Sequence, residues 1–214
     1  MLKIESNPTA RLSRAVFYMV FSYSPGLGLV PLIFRFLAFP LFPKVLMRWI
    51  WIDRILDLEK GQRCVAIKNI TAAEEVLHDH FPATATRRAM PVLPNTLIIE
   101  GMAQTAGIMV GHANDFKEKV ILAKIGKAKF FAAAKPGFTI KFTAQMDRID
   151  PSGASTTGWV DLIDLALGRV TPLAEIELMF SHIDKNRSGL AFPEHNFVFT
   201  DQFMNLLRDS GFAK

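Results

Sequence analysis

The sequence predicts an α+β fold in which antiparallel strands surround one apolar helix. Half of the 214 residues are hydrophobic, which is enough for a packed core. Residues 97–114 contain a single carboxylate and no Lys or Arg, and they are long enough for a buried helix. Residues 138–146 alternate apolar side chains with Thr, Lys and Gln, which is the period of a half-buried strand. Wrapping a sheet around the helix would bury the apolar faces of both.

The other elements follow from periodicity and from turn residues. Before the helix, strands are predicted at residues 49–58 and 63–70, with a turn at 59–62. After the helix, we predict strands at residues 120–131, 138–146, 155–167 and 169–183, and a short amphipathic helix at 199–208. Pro136-Gly137, residues 150–153 and Gly168 supply turns between the later strands. Since these connections are short, the strands that they join should be antiparallel.

The chain divides into three predicted parts. These are an apolar, helical N-terminal extension at residues 1–48, one domain at 49–184, and a C-terminal tail with a short helix at 185–214. The extension has no charged residue between Ala15 and Phe34, but proline and glycine interrupt this stretch. Three interpretations are open: broken helices packed on the protein's own surface, a segment in a membrane interface, or a true membrane span.

Charge and cysteine content restrict the partners and the location. The formal net charge is +5 and the sequence pI is about 9.4. This balance favours an acidic partner, which could be nucleic acid, anionic lipid or an acidic carrier protein. Cys64 is the only cysteine, so the chain cannot form an intramolecular disulfide, and a reducing compartment fits.

A lone carboxylate lies within the predicted helix. Glu100 is the only charged residue between Thr96 and Val110. A protonatable carboxyl in an apolar cleft is what a general acid needs, but a Glu that caps a backbone amide at the helix end is an equal alternative. The free N–H groups at the helix start could bind a developing oxyanion, or Asn95 or Thr96 could be an ordinary cap.

A short histidine cluster precedes the helix at His78-Asp79-His80. It could ligate a metal, supply a general base or lie on the surface. A metal site needs three or four ligands, and the other histidines are isolated in sequence, so we predict no metal. A histidine that acts as a base needs only proximity to a substrate proton.

These residues resemble the signature of the FabZ family of 3-hydroxyacyl-[acyl carrier protein] dehydratases. That signature reads H-F-P-G, then x-P-x-x-P-G-V-L, then E-A-M-A-Q. His80-Phe81-Pro82 is similar to the first part, residues 90–97 to the second, and residues 100–104 (E-G-M-A-Q) to the third. The resemblance covers residues 49–184. A glutamate followed by Met-Ala-Gln favours this family over its FabA relatives, which carry aspartate and tryptophan there.

The resemblance implies a hotdog fold, in which antiparallel strands wrap one long central helix and two protomers build the active sites. His80 and Glu100 would be the catalytic pair, supplied to each site by different protomers. Pro94, Asn95 and Thr96 would bind substrate, with the Asn95 amide polarising the thioester carbonyl. The implied reaction converts 3-hydroxyacyl thioesters to trans-2-enoyl thioesters in fatty-acid or related lipid synthesis, without a metal or redox cofactor.

The implied partners are an acyl carrier protein thioester, or a coenzyme A thioester, and a second copy of the chain. The homodimer could assemble further into a trimer of dimers, and no nucleic-acid partner is expected. Arg87, Arg88 and Lys127 would bind the acidic carrier, although these charges could equally form a solvated face. The expected location is the cytoplasm, with peripheral membrane contact through residues 1–48 as an alternative.

The chain departs from the family pattern at several positions. Ala83 replaces the glycine after H-F-P, and Asn95 replaces the glycine before the helix. Residues 84–89 look inserted, and they could widen the pocket, act as a lid, dock a carrier or displace His80. Two rival functions are therefore kept: a hotdog thioesterase that uses Glu100 to activate water, and a non-catalytic acyl- or lipid-binding protein.

Overall fold

The computed structural model describes residues 50–183 and 195–213, which belong to one compact unit. The predicted N-terminal extension, residues 1–48, lies outside the described residues. In chain order the strands are β1 (Arg54–Glu59), β2 (Arg63–Asn69), β3 (Val120–Phe130), β4 (Thr139–Asp150), β5 (Gly153–Asp164) and β6 (Arg169–His182). The helices are α1 (Glu75–Asp79), α2 (Asn95–Ala113) and α3 (Asp201–Asp209).

The six strands form one antiparallel sheet in the order β1-β2-β4-β5-β6-β3, and the long helix α2 packs against it. This is the hotdog fold that the resemblance implied. The alternating pattern of β4 explains the packing, since Ile140, Phe142 and Ala144 are fully buried while residues between them lie nearer solvent. Strand β3 is at the end of the sheet and pairs with β6.

The core lies between α2 and the sheet. Ile98, Met102 and Met109 of α2 are buried there. Close approach requires a residue without a side chain at Gly101, because an added Cβ would overlap the ring of Phe142. The helix therefore lies against β4 at Gly101. The residue before it is Glu100, the predicted functional carboxylate.

The predicted elements are confirmed with shifted boundaries. Helix α2 begins at Asn95, two residues before the predicted start, and β4 continues to Asp150. The short helix α1 was not predicted, because five residues carry too little periodicity to be recognised. Helix α3 lies within two residues of the expected bounds. Among the described residues, no helix combines the length and apolar character required to cross a bilayer.

The C-terminal segment, residues 195–213, packs on the domain. At one end the Asn196 side-chain amide donates hydrogen bonds to the carbonyls of Phe116 and Glu118, at 3.0 and 3.1 Å. At the other end the Ile55 N–H donates to the Ser210 hydroxyl at 3.0 Å. The segment therefore reaches from the end of α2 to β1, and Phe203 of α3 is buried on the way.

Candidate active site

Glu100 projects from α2 into a cavity of about 350 Å³. One stripe of α2 lines it together with residues of β3, β6 and the C-terminal segment. The lining residues besides Glu100 are Ala103, Gln104, Gly107, Ile108, Val120, Leu122, Phe180, Val198, Phe199 and Phe203. The volume is in the range of small-ligand sites. Glu100 is half-buried at a mainly apolar cavity and is the sixth residue of a helix of 19, so it does not cap the helix end. This position favours the general-acid interpretation over the helix-cap interpretation.

Gln104 holds the Glu100 carboxylate in place. Its amide Nε2 donates to Glu100 Oε1 at 2.8 Å, and its Oε1 accepts a hydrogen bond from the Trp51 backbone N–H, also at 2.8 Å. Both groups of the amide are thus used, which fixes the orientation of the side chain. We predicted no role for Gln104, although its spacing of four residues from Glu100 on a helix could have indicated the contact.

His80 lies at the C-terminal end of α1, and its ring is oriented by the main chain. The ring Nδ1 is hydrogen-bonded to the carbonyl of Val92. Because a carbonyl can only accept, Nδ1 must carry the proton, and neutral imidazole then keeps a lone pair on Nε2. The Phe81 ring lies 4.2 Å from the His80 ring, and Phe81 has a positive φ of 57°, which turns the chain sharply after the histidine. This arrangement suits a general base.

A buried cation supports the start of α1. The Lys68 side chain is only 8% exposed, and its Nζ lies 2.7 Å from Glu74 Oε1 and 3.6 Å from Asp53 Oδ1. It also lies 4.4 Å from the centre of the Trp51 ring. Since Glu74 immediately precedes α1, the ion pair anchors the helix that ends at His80. A buried ammonium requires such partners.

The start of α2 presents backbone N–H groups to solvent. Pro94 is the capping residue, without a side-chain cap, and Asn95 and Thr96 are exposed residues of the first turn. The interpretation of Asn95 or Thr96 as the helix cap is therefore wrong, because both already lie inside the helix. The first N–H groups of a helix lack intrahelical acceptors and carry partial positive charge. The preceding Leu93 N–H is tied to the Ala134 carbonyl at 2.8 Å, which fixes this end of α2.

The sequence of this chain also matches the model of a known protein family. A family model described as the FabA-like domain matches residues 43–164, which is more than half of the chain. The chain belongs to this family, as a member of the FabZ type. The "3-hydroxyacyl-[acyl-carrier-protein] dehydratase FabZ" of Clostridium kluyveri is 35% identical over 136 residues, which are 63% of this chain and 86% of that protein.

A second relative and a solved structure are also similar to this chain. The protein of the same name from Caldanaerobacter subterraneus is 38% identical over 99 residues, and the match spans 46% of this chain and 66% of that protein. A solved thioesterase family protein from Silicibacter pomeroyi is similar with a TM-score of 0.49 and 14% identity, covering 61% of this chain and 83% of that chain.

Within one chain of this FabZ-type protein, the two predicted catalytic residues are not brought together. Among residues 50–183 and 195–213, no hydrogen bond or ion pair joins His80 to Glu100, and His80 does not line the cavity beside Glu100. Their assignment as a catalytic pair stays a prediction.

The 84–89 insertion is a closed loop on the surface. The Met90 N–H donates to the Phe81 carbonyl at 3.0 Å, and the Thr84 N–H donates to the Arg87 carbonyl at 2.9 Å. Arg87 lies over the Phe81 ring, 5.5 Å from its centre, and also donates to the Pro82 carbonyl at 3.3 Å. The insertion does not displace His80 from its contact with Val92.

The three cations predicted to bind a carrier differ in their surroundings. Arg87 and Arg88 are exposed on the inserted loop. Lys127 on β3 lies 3.2 Å from Glu175 and 3.5 Å from Glu177, and these carboxylates raise its pKa. Because two carboxylates compensate its charge, Lys127 contributes less to a positive surface than the two arginines. Within the described ranges, no three His, Cys, Asp or Glu side chains are grouped as metal ligands.

Proposed function

We propose that this protein removes water from 3-hydroxyacyl thioesters, carried on acyl carrier protein, to give trans-2-enoyl thioesters in fatty-acid synthesis. The observation that supports this most directly is the Glu100 carboxylate, held by Gln104 at the edge of an apolar cavity. The similarity to FabZ dehydratases adds independent support. An apolar cavity can accommodate the acyl chain of the substrate. The Glu100 carboxyl can transfer a proton at the end of that chain that carries the hydroxyl group and the thioester.

The proposed reaction begins with proton abstraction at C2. His80 Nε2 takes this proton, since Nδ1 is engaged with the Val92 carbonyl. The electrons of the C–H bond move into the thioester to form an enolate, whose oxygen is held by the Asn95 N–H and the positive end of α2. This stabilisation acts only as charge develops, so it lowers the barrier.

The second step expels the hydroxyl group. The enolate electrons return to form the C2–C3 double bond, the C3–O bond breaks, and the departing oxygen takes a proton from Glu100 to leave as water. His80 then carries one additional proton and Glu100 one fewer, and solvent exchange restores both. No electron is gained or lost overall, so the reaction needs no redox cofactor, and the thioester itself acidifies C2.

We further propose that a homodimer forms the working unit. In one chain, His80 and Glu100 lie on separate elements without a contact, so pairing them between protomers would complete two sites per dimer. Arg87 and Arg88 would meet the acidic surface of the carrier protein near the entrance. The cytoplasmic location predicted from the single cysteine is part of this proposal.

The activity is tested by hydration of crotonyl thioesters, which runs the reaction in reverse and is followed by loss of the enoyl absorbance. His80→Ala and Glu100→Gln should each lower kcat/KM by about 100-fold or more, because each removes an acid–base group. The matched controls are His78→Ala and Glu75→Gln, which change exposed residues of α1 and should retain activity. A folded wild type without activity on either carrier protein or coenzyme A thioesters would refute the proposal.

The shared site is tested by mixing the two inactive variants. After the subunits exchange, half of the dimers contain one protomer of each kind, and one site of each such dimer has both His80 and Glu100 intact. About a quarter of the wild-type activity should therefore return. If both residues acted within one protomer, the mixture would stay inactive.

A further inference from the structure

Two phenylalanines of the C-terminal segment form part of the cavity lining. Phe199 and Phe203 line the cavity that Glu100 enters. The Phe199 ring meets the Phe116 ring edge-on, with centroids 4.9 Å apart, and lies 6.3 Å from that of Phe203. Phe199 and Phe203 therefore form an aromatic wall of the cavity, and Phe116 packs against Phe199.

The distance along α2 between Glu100 and this wall follows from helix geometry. The cavity is lined by Glu100, Gly107 and other residues of one stripe, and the stripe continues to Gly111. Phe199 packs so closely on Gly111 that an added Cβ would overlap its ring. Gly111 lies eleven positions after Glu100 along the helix, which corresponds to about 16 Å at 1.5 Å per residue.

The wall belongs to a part of the chain that the family match does not include. The FabA-like match ends at residue 164, whereas the wall is supplied from residue 198 onward. The segment is nevertheless fixed at both ends, through Asn196 and Ser210. A fixed apolar wall can limit the length of a bound chain, because additional methylenes would have to displace packed rings.

We propose that Phe199, with Phe203 beside it, is a specificity-determining residue that sets the longest acyl chain this protein accepts. This inference rests on the proposed dehydratase function and assigns the cavity to the acyl tail. The thioester end lies near Glu100, and the terminal methyl group points toward Phe199. The C-terminal segment thus acts as the end of the acyl site.

The experiment compares kcat/KM for hydration of crotonyl, octenoyl and dodecenoyl thioesters by the full chain. Phe199→Ala should raise the ratio of dodecenoyl to crotonyl activity by about four-fold for each additional methylene that fits, equivalent to about 0.8 kcal/mol. Gly107→Ala should lower the same ratio. A Cβ there would lie 3.7 Å from Phe180, so it fits without a clash but takes space from the cavity. Phe199→Leu replaces the alanine variant if that variant fails to fold.

The matched control is Phe212→Ala, which removes the same side chain from the same segment but does not line the cavity. It should leave the ratio unchanged. If wild type hydrates crotonyl thioester and the ratio stays constant in folded Phe199 and Gly107 variants, the inference is overturned while the dehydratase proposal stands. If wild type hydrates none of the three substrates, the dehydratase proposal itself fails.

Discussion

Substituting Gln104 by leucine should separate the positioning of Glu100 from its chemistry. Leucine has a similar bulk to glutamine but is apolar. It therefore removes the amide that donates to Glu100 Oε1 at 2.8 Å. It also removes the acceptor of the buried Trp51 N–H. The first loss should lower activity and the second should lower stability, so the two effects can be measured independently.

The magnitudes follow from the two hydrogen bonds. Glu100 is neutral when it acts as the acid in the proposed reaction, and a hydrogen bond between neutral groups contributes about 0.5–1.5 kcal/mol. Loss of the orientation of Glu100 should therefore cost about 2- to 12-fold in kcat/KM. A buried N–H that loses its acceptor costs about 1–3 kcal/mol in the free energy of unfolding. We expect kcat to carry most of the loss in activity, because Gln104 acts through Glu100 rather than on the substrate thioester.

A second variant, Gln104→Glu, tests the donor directly. It keeps an acceptor for the Trp51 N–H but places a second carboxyl beside Glu100, where two like charges repel. Hydration of the crotonyl thioester should therefore stay low, and the loss of stability in urea should grow as the pH rises and both carboxyls ionise. Gln145→Leu, at an exposed position on β4, should change neither quantity. Full activity in a folded Gln104→Leu protein would refute the positioning role.

Two further predictions concern stability. Burial raises the pKa of the Cys64 thiol from 9.0 to about 12, with a smaller contribution from Asp57. Above pH 9.0 the thiol ionises in the unfolded state but stays protonated in the folded state. The free energy of unfolding of wild type, measured in urea, should therefore fall by about 1.4 kcal/mol per pH unit relative to that of Cys64→Ala. Parallel curves of unfolding free energy against pH for the two proteins would contradict this. Gly101→Ala should lower the free energy of unfolding by about 1–3 kcal/mol, because its Cβ would overlap Phe142. Gly107→Ala should raise it by up to about 1 kcal/mol, because alanine favours the helix. Equal melting temperatures of the two variants would contradict the packing argument.

The fold could be predicted from the sequence because its strongest signals are local. The alternation along residues 138–146 predicted β4, and the apolar run after Thr96 predicted α2. The exact start of α2 was harder, since Asn95 was expected before the helix and lies inside it. A helix as short as α1 has no periodic signal, yet it carries His80 at its end.

The candidate site was predictable only where one residue stands out against its neighbours. Glu100 is such a residue, because it is the lone charge on an apolar helix. Phe199 and Gln104 are not, because a phenylalanine among eighteen and a glutamine in a helix are ordinary in sequence. Their roles depend on contacts with Gly111 and Trp51, which are distant along the chain and follow only from tertiary packing.

Trp51 connects the two elements that carry the candidate catalytic groups. Its backbone N–H holds Gln104 and thereby Glu100, while its ring contacts Lys68, which holds Glu74 at the start of α1. One network around Trp51 therefore supports both Glu100 and the start of the helix that ends at His80, even though the two residues lack a direct contact. If the sites are shared between protomers as proposed, the two groups oriented by each network serve different sites. Because each site would then draw one group from each protomer, a change at Trp51 in one protomer would affect both sites of the dimer.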